Sequence, residues 1–229
     1  MIKATYIDHM GSDLSVVNAA RVSFGKKHDT FQDKDTGLVK YLAKHKHLSP
    51  FGHAFASFHV KAPIFVARQL VKHKFLRWNE VSRRYVSDTP EFYSPDVWRG
   101  KAEDKKQGSA GVIEEIDISG PDYGDDGEEY YGYAEAPPSE FSDCLNRDAL
   151  HTYVTLLEGG VCEEQARMVL PQSTMTEWYW SGSLDAFADM CRLRCASDTQ
   201  YETRVVADQI NTEMFKLFPV SWDALMGVE

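Results

Sequence analysis

The chain has 229 residues, 43% of them hydrophobic, so it is long enough to bury a sizeable core. Its 25 Lys and Arg residues against 35 Asp and Glu residues give a formal net charge of -10, which argues against general binding to nucleic acids or to an anionic membrane. No apolar run approaches the length of about 18 residues that a membrane span needs, and no leader-like segment is found. We therefore expect a cytoplasmic protein.

The sequence favours a protein without a metal site. Four cysteines form no Cys-x-x-Cys pair, and Cys191 and Cys195 are one helical turn apart, which favours reduced packing thiols over disulfides or a zinc site. The histidines between residues 45 and 59 lack the i, i+4 spacing of a zinc-binding helix. We expect satisfied polar histidines there, or one that faces a ligand.

Predicted strands and helices alternate through the first 61 residues. Residues 1–8 have the alternation of an edge strand, and residues 14–24 and 38–45 have helical periodicity. Residues 54–61 predict a second strand. The apolar face of that strand would consist of Ala54, Ala56, Phe58 and Val60.

The basic stretch at residues 68–85 is the most informative part of the sequence. Pro63 fits the first turn of a helix that leads into this stretch. The packing face of the helix would contain Ile64, Ala67, Leu70 and Val71. The polar turn that follows supplies cations, rings, amides, a hydroxyl and one carboxylate: Lys72, His73, Lys74, Trp78, Asn79, Glu80, Ser82, Arg83 and Arg84.

This combination of side chains suits a nucleotide. A phosphate is bound by Arg or Lys, a pyrimidine edge by Gln, Asn or Ser, and a flat heterocycle by His or Trp. The alternative interpretation is a solvated basic helix end that neutralises an acidic neighbour. The spacing of the residues leaves both interpretations open.

Residues 99–143 differ in composition from the rest of the chain. Gly, Asp, Glu and Tyr dominate, and residues 121–129 have no apolar period. We expect an exposed, partly disordered acidic insertion at this position.

The C-terminal part of the sequence predicts four helices and one strand. The helices are expected at residues 147–158, 163–169, 184–193 and about 197–218, and the strand at residues 174–180. Expected helix caps are Asn146, Ser183 and Ser197, the last in a capping box with Gln200. These elements predict an α+β fold, with a mixed or antiparallel sheet flanked by helices, in a single domain over residues 1–229.

The sequence contains none of the common phosphate-binding loops. Neither Gly-x-Gly-x-x-Gly nor Gly-x-x-x-x-Gly-Lys occurs, so side chains must hold a phosphate. Arg167 and Arg194 are further candidates, although each could be a helix-surface charge, and a cation is favoured near a helix C-terminus in any case. Ser82 lacks the Gly-x-Ser-x-Gly elbow of hydrolases.

Lys72-His73-Lys74, followed after seven residues by Ser82, resembles the Arg-His-Arg, seven residues, Ser signature of the flavin-dependent thymidylate synthases. The resemblance covers nearly the whole chain except residues 99–143. Further blocks that resemble this family occur in the same order: Ala19-Ala20-Arg21-Val22-Ser23-Phe24, Pro50-Phe51-x-His53, Phe58-His59-Val60-Lys61-Ala62-Pro63, Asn79-Glu80-x-Ser82-x-Arg84-Tyr85, Arg167-x-Val169-Leu170-Pro171 and Leu193-Arg194-x-x-Ser197-x-x-Gln200-x-Glu202.

The resemblance implies an enzyme that reductively methylates deoxyuridylate (dUMP) to thymidylate (dTMP). The one-carbon unit would come from 5,10-methylenetetrahydrofolate, and NADPH would supply reducing equivalents through bound FAD. Members of this family are homotetramers whose active sites combine residues of several subunits, so the same assembly is expected here. Neither a nucleic acid nor a membrane is an expected partner.

The resemblance also implies roles for individual residues. FAD would lie along His47, Ser49, Lys72, His73, Lys74, Glu80, Ser183, Asp185 and Asp189. The substrate dUMP would be surrounded by Gln69, Lys72, Glu80, Ser82, Arg83, Arg84, Arg167 and Arg194. Within that set, Arg84 and Arg167 suit the phosphate, and Ser82 can orient the nucleotide.

Arg194 is the expected principal catalytic residue. A guanidinium stays protonated, so it can stabilise negative charge on the N3/O2 edge of uracil while C5 becomes nucleophilic. The family is understood to dispense with an enzyme nucleophile, and this chain has no Cys-His pair at a recognisable spacing. The alternative of Ser82 as a nucleophile stays open.

The chain departs from the family pattern in three places. Lys72 and Lys74 replace the signature arginines, which keeps the charge but loses the planar fork. Arg83 stands where glycine is frequent, which puts the close approach of the main chain to the nucleotide in doubt. Ser183 and Asp189 stand where Asn or His is frequent, and an acid would repel an anionic cofactor unless a cation intervenes. These departures leave open a catalytically impaired dUMP- and flavin-binding protein of the same fold. A third alternative, an RNA-binding module that uses the basic stretch at residues 68–84, is disfavoured by the negative net charge.

Overall fold

The structure is a computed structural model that describes residues 1–103, 108–117, 120–123, 129–132 and 135–227. These residues form two compact units, Met1–Val81 with Met175–Glu229, and Ser82–Thr174. The prediction of one domain with an insertion stays a prediction.

Each of the two units contains both helices and strands. The elements of the N-terminal part are β1 (Lys3–Met10), α1 (Asp13–Arg21), a 3₁₀ helix (Val22–Phe24), α2 (Asp33–Lys44), a 3₁₀ helix (Ser49–His53), β2 (Phe55–Pro63), α3 (Ile64–Leu70) and β3 (Arg77–Glu80). The second unit contains β4 (Arg99–Lys101), β5 (Ser109–Val112), β6 (Ile116–Asp117), β7 (Gly120–Tyr123), β8 (Glu129–Gly132), β9 (Glu135–Ala136), α4 (Pro138–Glu158), α5 (Glu163–Ala166) and a 3₁₀ helix (Arg167–Val169). The chain then returns to the first unit with β10 (Met175–Ser183), α6 (Leu184–Arg194), α7 (Tyr201–Leu217) and α8 (Pro219–Met226).

A four-stranded sheet organises the first unit. Its strand order is β1-β2-β10-β3, and every neighbouring pair is antiparallel. β1 lies at an edge, as its alternating sequence predicted, and β2 pairs with β10 over their full lengths. The predicted α+β class, with an antiparallel sheet flanked by helices, is confirmed.

The buried face of the sheet carries the core of the first unit. The predicted apolar residues of β2 are buried, and Trp178 and Trp180 of β10 are each 1% exposed. Phe187 of α6 packs edge-on against both strands, with its ring 5.4 Å from Phe58 and 5.6 Å from Trp180. Burial of these large side chains stabilises the unit, at about 2 kcal/mol for each side chain.

Three local predictions were wrong. Val71 is 49% exposed while Val66 is fully buried. Val71 is the C-cap of α3, and the buried face of the helix consists of Val66, Ala67 and Leu70. Helix α7 begins after Gln200, so Ser197 does not cap it, and the Ser197 carbonyl accepts a hydrogen bond from Arg204 instead.

The helix predicted from residue 147 begins at Pro138. Proline is favoured in the first helical turn, so the helix extends into the predicted insertion. Asn146, the predicted cap, is therefore in the helix interior, where its side-chain oxygen accepts a hydrogen bond from Ser173 at 2.8 Å.

The described parts of the predicted insertion form short antiparallel strand pairs. β4 pairs with β5, β6 with β9, and β7 with β8. The side chains of residues 108–117 are exposed, in agreement with the prediction. The expected disorder at residues 121–129 falls partly on residues 124–128, which lie outside the described residues.

No helix among the described residues has the length and apolar character that crossing a membrane requires.

Candidate active site

A cleft of the first unit gathers five of the predicted site residues. It has a volume of about 430 Å³ and lies between the loop after α3 and helix α6. The predicted residues that line it are Lys72, His73, Lys74, Asp189 and Arg194, and its other walls are Phe75, Ala186 and Leu193.

Two backbone features hold the Lys-His-Lys run (residues 72–74) in this cleft. Phe75 has a φ of 65°, in the left-handed region that a bulky residue seldom adopts, so the chain turns sharply after Lys74. The next residue, Leu76, lies against Gly182 of β10, where an added Cβ would be 2.4 Å from the Leu76 Cδ2 atom. Glycine at position 182 thus lets the loop approach the sheet closely.

Arg194 and His73 are joined directly across the cleft. Arg194 Nε donates a hydrogen bond to His73 Nε2 at 3.0 Å. Burial lowers the pKa of His73 below its usual 6.5, and the charge of Arg194 lowers it further, while Asp189 opposes the change. The lone pair of the neutral ring therefore accepts the hydrogen bond, and the ring proton lies on Nδ1.

Arg194 keeps its positive charge in this position. Burial lowers the pKa of Arg194, but a guanidinium pKa starts so high that the group stays protonated at neutral pH. Its place in the last turn of α6 is also favourable for a cation.

Asp189, the acid that the sequence placed beside an anionic cofactor, is paired with a cation. Arg192 Nη2 forms a salt bridge with the Asp189 carboxylate one helical turn away. Arg192 Nη1 also donates a hydrogen bond to the Leu225 carbonyl oxygen at 2.6 Å, which ties this guanidinium to α8. The repulsion expected from Asp189 is therefore reduced.

The other residues predicted along FAD do not line this cleft. Ser183 and Asp185 begin α6 and are hydrogen-bonded to each other. They lie about 15 Å from Arg194 along the helix axis at 1.5 Å per residue. His47 and Ser49 are exposed in the segment after α2, where the His47 ring is 6.2 Å from the ring of Tyr41.

Two further predicted residues of the first unit are held by hydrogen bonds. The Glu80 carboxylate accepts one from Trp78 Nε1 at 3.1 Å and one from Thr176 Oγ1 at 2.7 Å. Gln69 on α3 bonds to the side chains of Gln200 and Thr203 at the start of α7.

The remaining predicted substrate residues belong to the second unit. Ser82 Oγ accepts hydrogen bonds from Arg84 through the backbone N–H at 3.4 Å and through Nε at 3.2 Å. The Arg84 guanidinium lies 4.9 Å from the centre of the Tyr85 ring. Arg83 Nη1 donates to the Asp88 carbonyl at 2.5 Å, and Arg167 Nε donates to the Glu164 carbonyl at 3.3 Å.

Sequence reasoning missed Phe75, Ala186 and Leu193, which line the cleft, and Arg192, which pairs with Asp189. Phe75 and Leu193 are 81% and 55% exposed, so they offer apolar surface to a ligand. Arg192 could have been found, because it follows Asp189 at the i, i+3 spacing of a helical ion pair. Phe75 gives no such signal, because nothing in its residue type indicates a left-handed backbone.

Metal ligands are not grouped in the described part of the chain. No set of three or more His, Cys, Asp or Glu side chains there could hold a metal ion. All four cysteines are free thiols.

Comparison with known proteins gives a consistent result. Residues 5–220 match the model of the family described as thymidylate synthase complementing protein. A flavin-dependent thymidylate synthase of Thermus thermophilus is 38% identical over 95% of this chain and 73% of its own length. One of Thermosipho melanesiensis is 39% identical over 92% of this chain and 83% of its own.

A solved structure gives the same result for the fold. The crystal structure of the UMP/dUMP methylase PolB from Streptomyces cacaoi, bound with 5-Br dUMP, matches with a TM-score of 0.78 at 30% sequence identity. The match covers 100% of this chain and 96% of the PolB chain.

Proposed function

This chain belongs to the flavin-dependent thymidylate synthase family, and we propose that its cleft around His73 and Arg194 is where the flavin meets dUMP. The protein is an FAD-dependent methyltransferase that reductively methylates dUMP to dTMP. Its one-carbon donor is 5,10-methylenetetrahydrofolate, and NADPH is the reductant. The single observation that carries the proposed site is the 3.0 Å hydrogen bond between Arg194 and His73 inside a cationic cleft.

The side chains of the cleft fit an anionic flavin dinucleotide. Lys72, Lys74 and Arg194 bring three positive charges to one cavity, and Asp189 is already paired with Arg192. Phe75 and Leu193 provide exposed apolar surface on which a flat ring system can stack. When bound, FAD passes reducing equivalents from NADPH to the chemistry at C5 of the pyrimidine.

Arg194 would polarise the uracil ring. Its Nε is occupied by His73, so the two Nη groups are the donors that could reach the N3/O2 edge of uracil. A positive charge held there before the reaction stabilises the negative charge that develops when C5 becomes nucleophilic. His73 would orient this guanidinium and border the flavin.

Ser82 would orient the nucleotide and would not attack it. Both hydrogen bonds that the structure describes on its hydroxyl come from donors of Arg84. A serine nucleophile needs a base that accepts its proton, and no such acceptor bonds to Ser82 among the described residues. Arg84 and Arg167 are proposed to bind the phosphate, and Arg83 stays a proposed dUMP-binding residue.

A homotetramer with shared sites would explain where the other predicted residues act. Ser183 and Asp185 lie about 15 Å from Arg194 along the axis of α6, at the end of the helix where Ala186 lines the cleft. A long cofactor, or a site completed by another copy, would let both groups contribute. The cytosol is the proposed compartment, because all four cysteines are free thiols.

The impaired-protein alternative has less support than the active enzyme. It depended partly on Asp189 repelling the cofactor, and that carboxylate has a salt-bridge partner in Arg192. The test is to incubate the protein with dUMP, methylenetetrahydrofolate, NADPH and FAD in D₂O, because the hydrogen on N5 of a reduced flavin exchanges with solvent. An active enzyme gives dTMP that carries deuterium, whereas an impaired one binds dUMP and gives no dTMP.

A further inference from the structure

Four side chains link α3 to the first turn of α7 in one hydrogen-bonded series. Gln200 Nε2 donates to Glu202 Oε2 at 3.3 Å, and Gln69 Nε2 donates to Gln200 Oε1. Thr203 Oγ1 donates to Gln69 Oε1 at 3.3 Å, which completes the series. These residues, Glu202, Gln200, Gln69 and Thr203, are called the Gln69 relay below.

The carboxylate of Glu202 determines the direction of every bond in the relay. A carboxylate oxygen only accepts, so the amide nitrogen of Gln200 must face Glu202 and its oxygen must face Gln69. Gln69 then has to present its nitrogen to Gln200 and its oxygen to Thr203. The reverse orientation of Gln69 would place two carbonyl oxygens against each other, so this orientation follows from chemistry.

Both ends of the relay are buried in the protein. Thr203 is fully buried and Glu202 is 4% exposed, whereas Gln69 is only half-buried and Gln200 is exposed. Gln69 lies in the last turn of α3, three residues before Lys72, which lines the cleft. The relay thus joins a buried anchor to a side chain at the end of the helix that leads into the cationic cleft.

We propose that Thr203, Gln200 and Glu202 are positioning residues for Gln69, which the family resemblance already places beside dUMP, and that they hold its amide as a hydrogen-bond donor to an acceptor oxygen of the nucleotide. One N–H of the Gln69 amide is used by Gln200, and the second has no partner among the described residues. That N–H can bond to a phosphate or a uracil carbonyl oxygen, both of which only accept. This inference rests on the proposed function, because it takes dUMP as the ligand.

The test measures dUMP affinity of the FAD-loaded protein by calorimetry for Thr203→Val, Thr203→Ser and Gln200→Leu. Loss of one hydrogen bond in the relay is expected to weaken dUMP binding about five- to tenfold in T203V and Q200L. T203S keeps the hydroxyl and should bind dUMP nearly as well as the wild type. FAD affinity should be unchanged in all three variants, which separates positioning of Gln69 from general damage.

Two further measurements make the test specific. In a Gln69→Ala background, T203V should cause no additional loss, because Thr203 acts only through Gln69. Thr212→Val is the matched control, since Thr212 is on the same helix and its hydroxyl bonds only to the Asp208 carbonyl in the described contacts. Deoxyuridine, which lacks the phosphate, shows which oxygen accepts the hydrogen bond from Gln69. If T203V weakens the binding of deoxyuridine as well, the acceptor belongs to the nucleoside. If T203V weakens only the binding of dUMP, the acceptor is a phosphate oxygen.

The proposal is overturned if T203V and Q200L bind dUMP like the wild type, or if T203V weakens binding equally in the Q69A background. It is also overturned if T203S is as weak as T203V. A wild-type protein that binds neither FAD nor dUMP would contradict the proposed function itself. If T203V does not fold, Q200L still tests the proposal, because Gln200 is exposed and its replacement should not disturb the core.

Discussion

Arg194 donates a hydrogen bond to Nε2 of His73 at 3.0 Å, so the cation at the end of α6 also determines which nitrogen of the histidine ring carries a proton. The two residues are 121 positions apart in the sequence. Each is placed by the end of a helix, since α3 stops just before His73 and Arg194 is the last residue of α6. The pair connects two walls of the cleft and holds a positive charge inside it.

Replacement of this cation should affect turnover far more than cofactor binding. We expect Arg194→Ala to keep FAD bound and to lower kcat by about 10²- to 10³-fold, the effect of removing one charge-stabilising donor from an active site. Steady-state kinetics and FAD fluorescence check the two parts. Arg147→Ala, an exposed arginine of α4, is the control and should behave like the wild type. Unchanged turnover in R194A would remove Arg194 from its assigned role.

The salt bridge between Arg192 and Asp189 should allow an acid to lie beside an anionic cofactor. Arg192→Gln leaves the Asp189 charge without its partner, so we expect FAD affinity to fall about fivefold, which corresponds to a repulsion of roughly 1 kcal/mol in a well-hydrated site. The double variant D189N/R192Q removes the charge as well and should regain the affinity.

Fluorescence titration of the apoprotein with FAD measures both Arg192 variants. The double variant also lacks the Arg192 bond to the Leu225 carbonyl. If it bound FAD as weakly as R192Q, the role of Arg192 would be structural, and the electrostatic explanation would be wrong.

Sequence alone predicted those parts of the fold that depend on local periodicity. The buried face of β2 follows from alternation of apolar residues at a period of two. The pairing of β2 with β10 joins segments more than a hundred residues apart, and no local pattern specifies that partner. The start of α4 at Pro138 was missed because the acidic, Gly-rich composition before it favoured a loop.

The site was predictable to a similar degree. From the residues alone, the Lys-His-Lys run and Arg194 were separate candidates, and the family resemblance placed Lys72 and Arg194 around the same substrate. Their meeting in one cleft depends on the packing of α6 on the sheet. The left-handed turn at Phe75 also requires tertiary support, because its local conformation is unfavourable.

Gly182 should be needed for the position of the loop that carries the Lys-His-Lys run. Gly182→Ala places a methyl group against Leu76, so we expect a loss of about 1–3 kcal/mol in the free energy of unfolding and weaker FAD binding. Leu76→Ala in the same protein should relieve the clash, so the double variant should lose less stability than the two single changes added together.

Chemical denaturation and FAD titration check the Gly182 prediction. Gly37→Ala in α2 is the matched control, because an added Cβ there meets no atom within 4 Å. That change should be neutral or slightly stabilising. Full stability and full FAD affinity in G182A would show that the close contact with Leu76 has no role.

Asp35 should make the free energy of unfolding depend on pH in the acidic range. Burial raises the pKa of this fully buried carboxylate. Hydrogen bonds from Arg21 at 2.7 Å, His28 at 2.9 Å and the Gln32 N–H at 3.0 Å lower the pKa by more than burial raises it. Its pKa falls from 3.8 to about 2. Because the pKa is lower in the folded state, the stabilisation is present above pH 3.8 and is lost as the pH falls toward 2.

Urea unfolding between pH 7 and pH 2 tests this dependence. Asp35→Asn should lose at least about 2 kcal/mol at pH 7 and should lack the additional loss of stability in the acidic window. Asp33→Asn, an exposed acid on the same helix, should keep the wild-type profile. An identical acid dependence in D35N and the wild type would refute the assignment.

The visible absorption spectrum of the FAD-loaded protein, titrated with dUMP, tests the central claim most directly. If the flavin and the pyrimidine lie together at the cleft of His73 and Arg194, dUMP should shift the flavin bands saturably. The shift should require a higher dUMP concentration in R194A. A protein that takes up no FAD, or flavin bands that stay the same at saturating dUMP, would contradict the account.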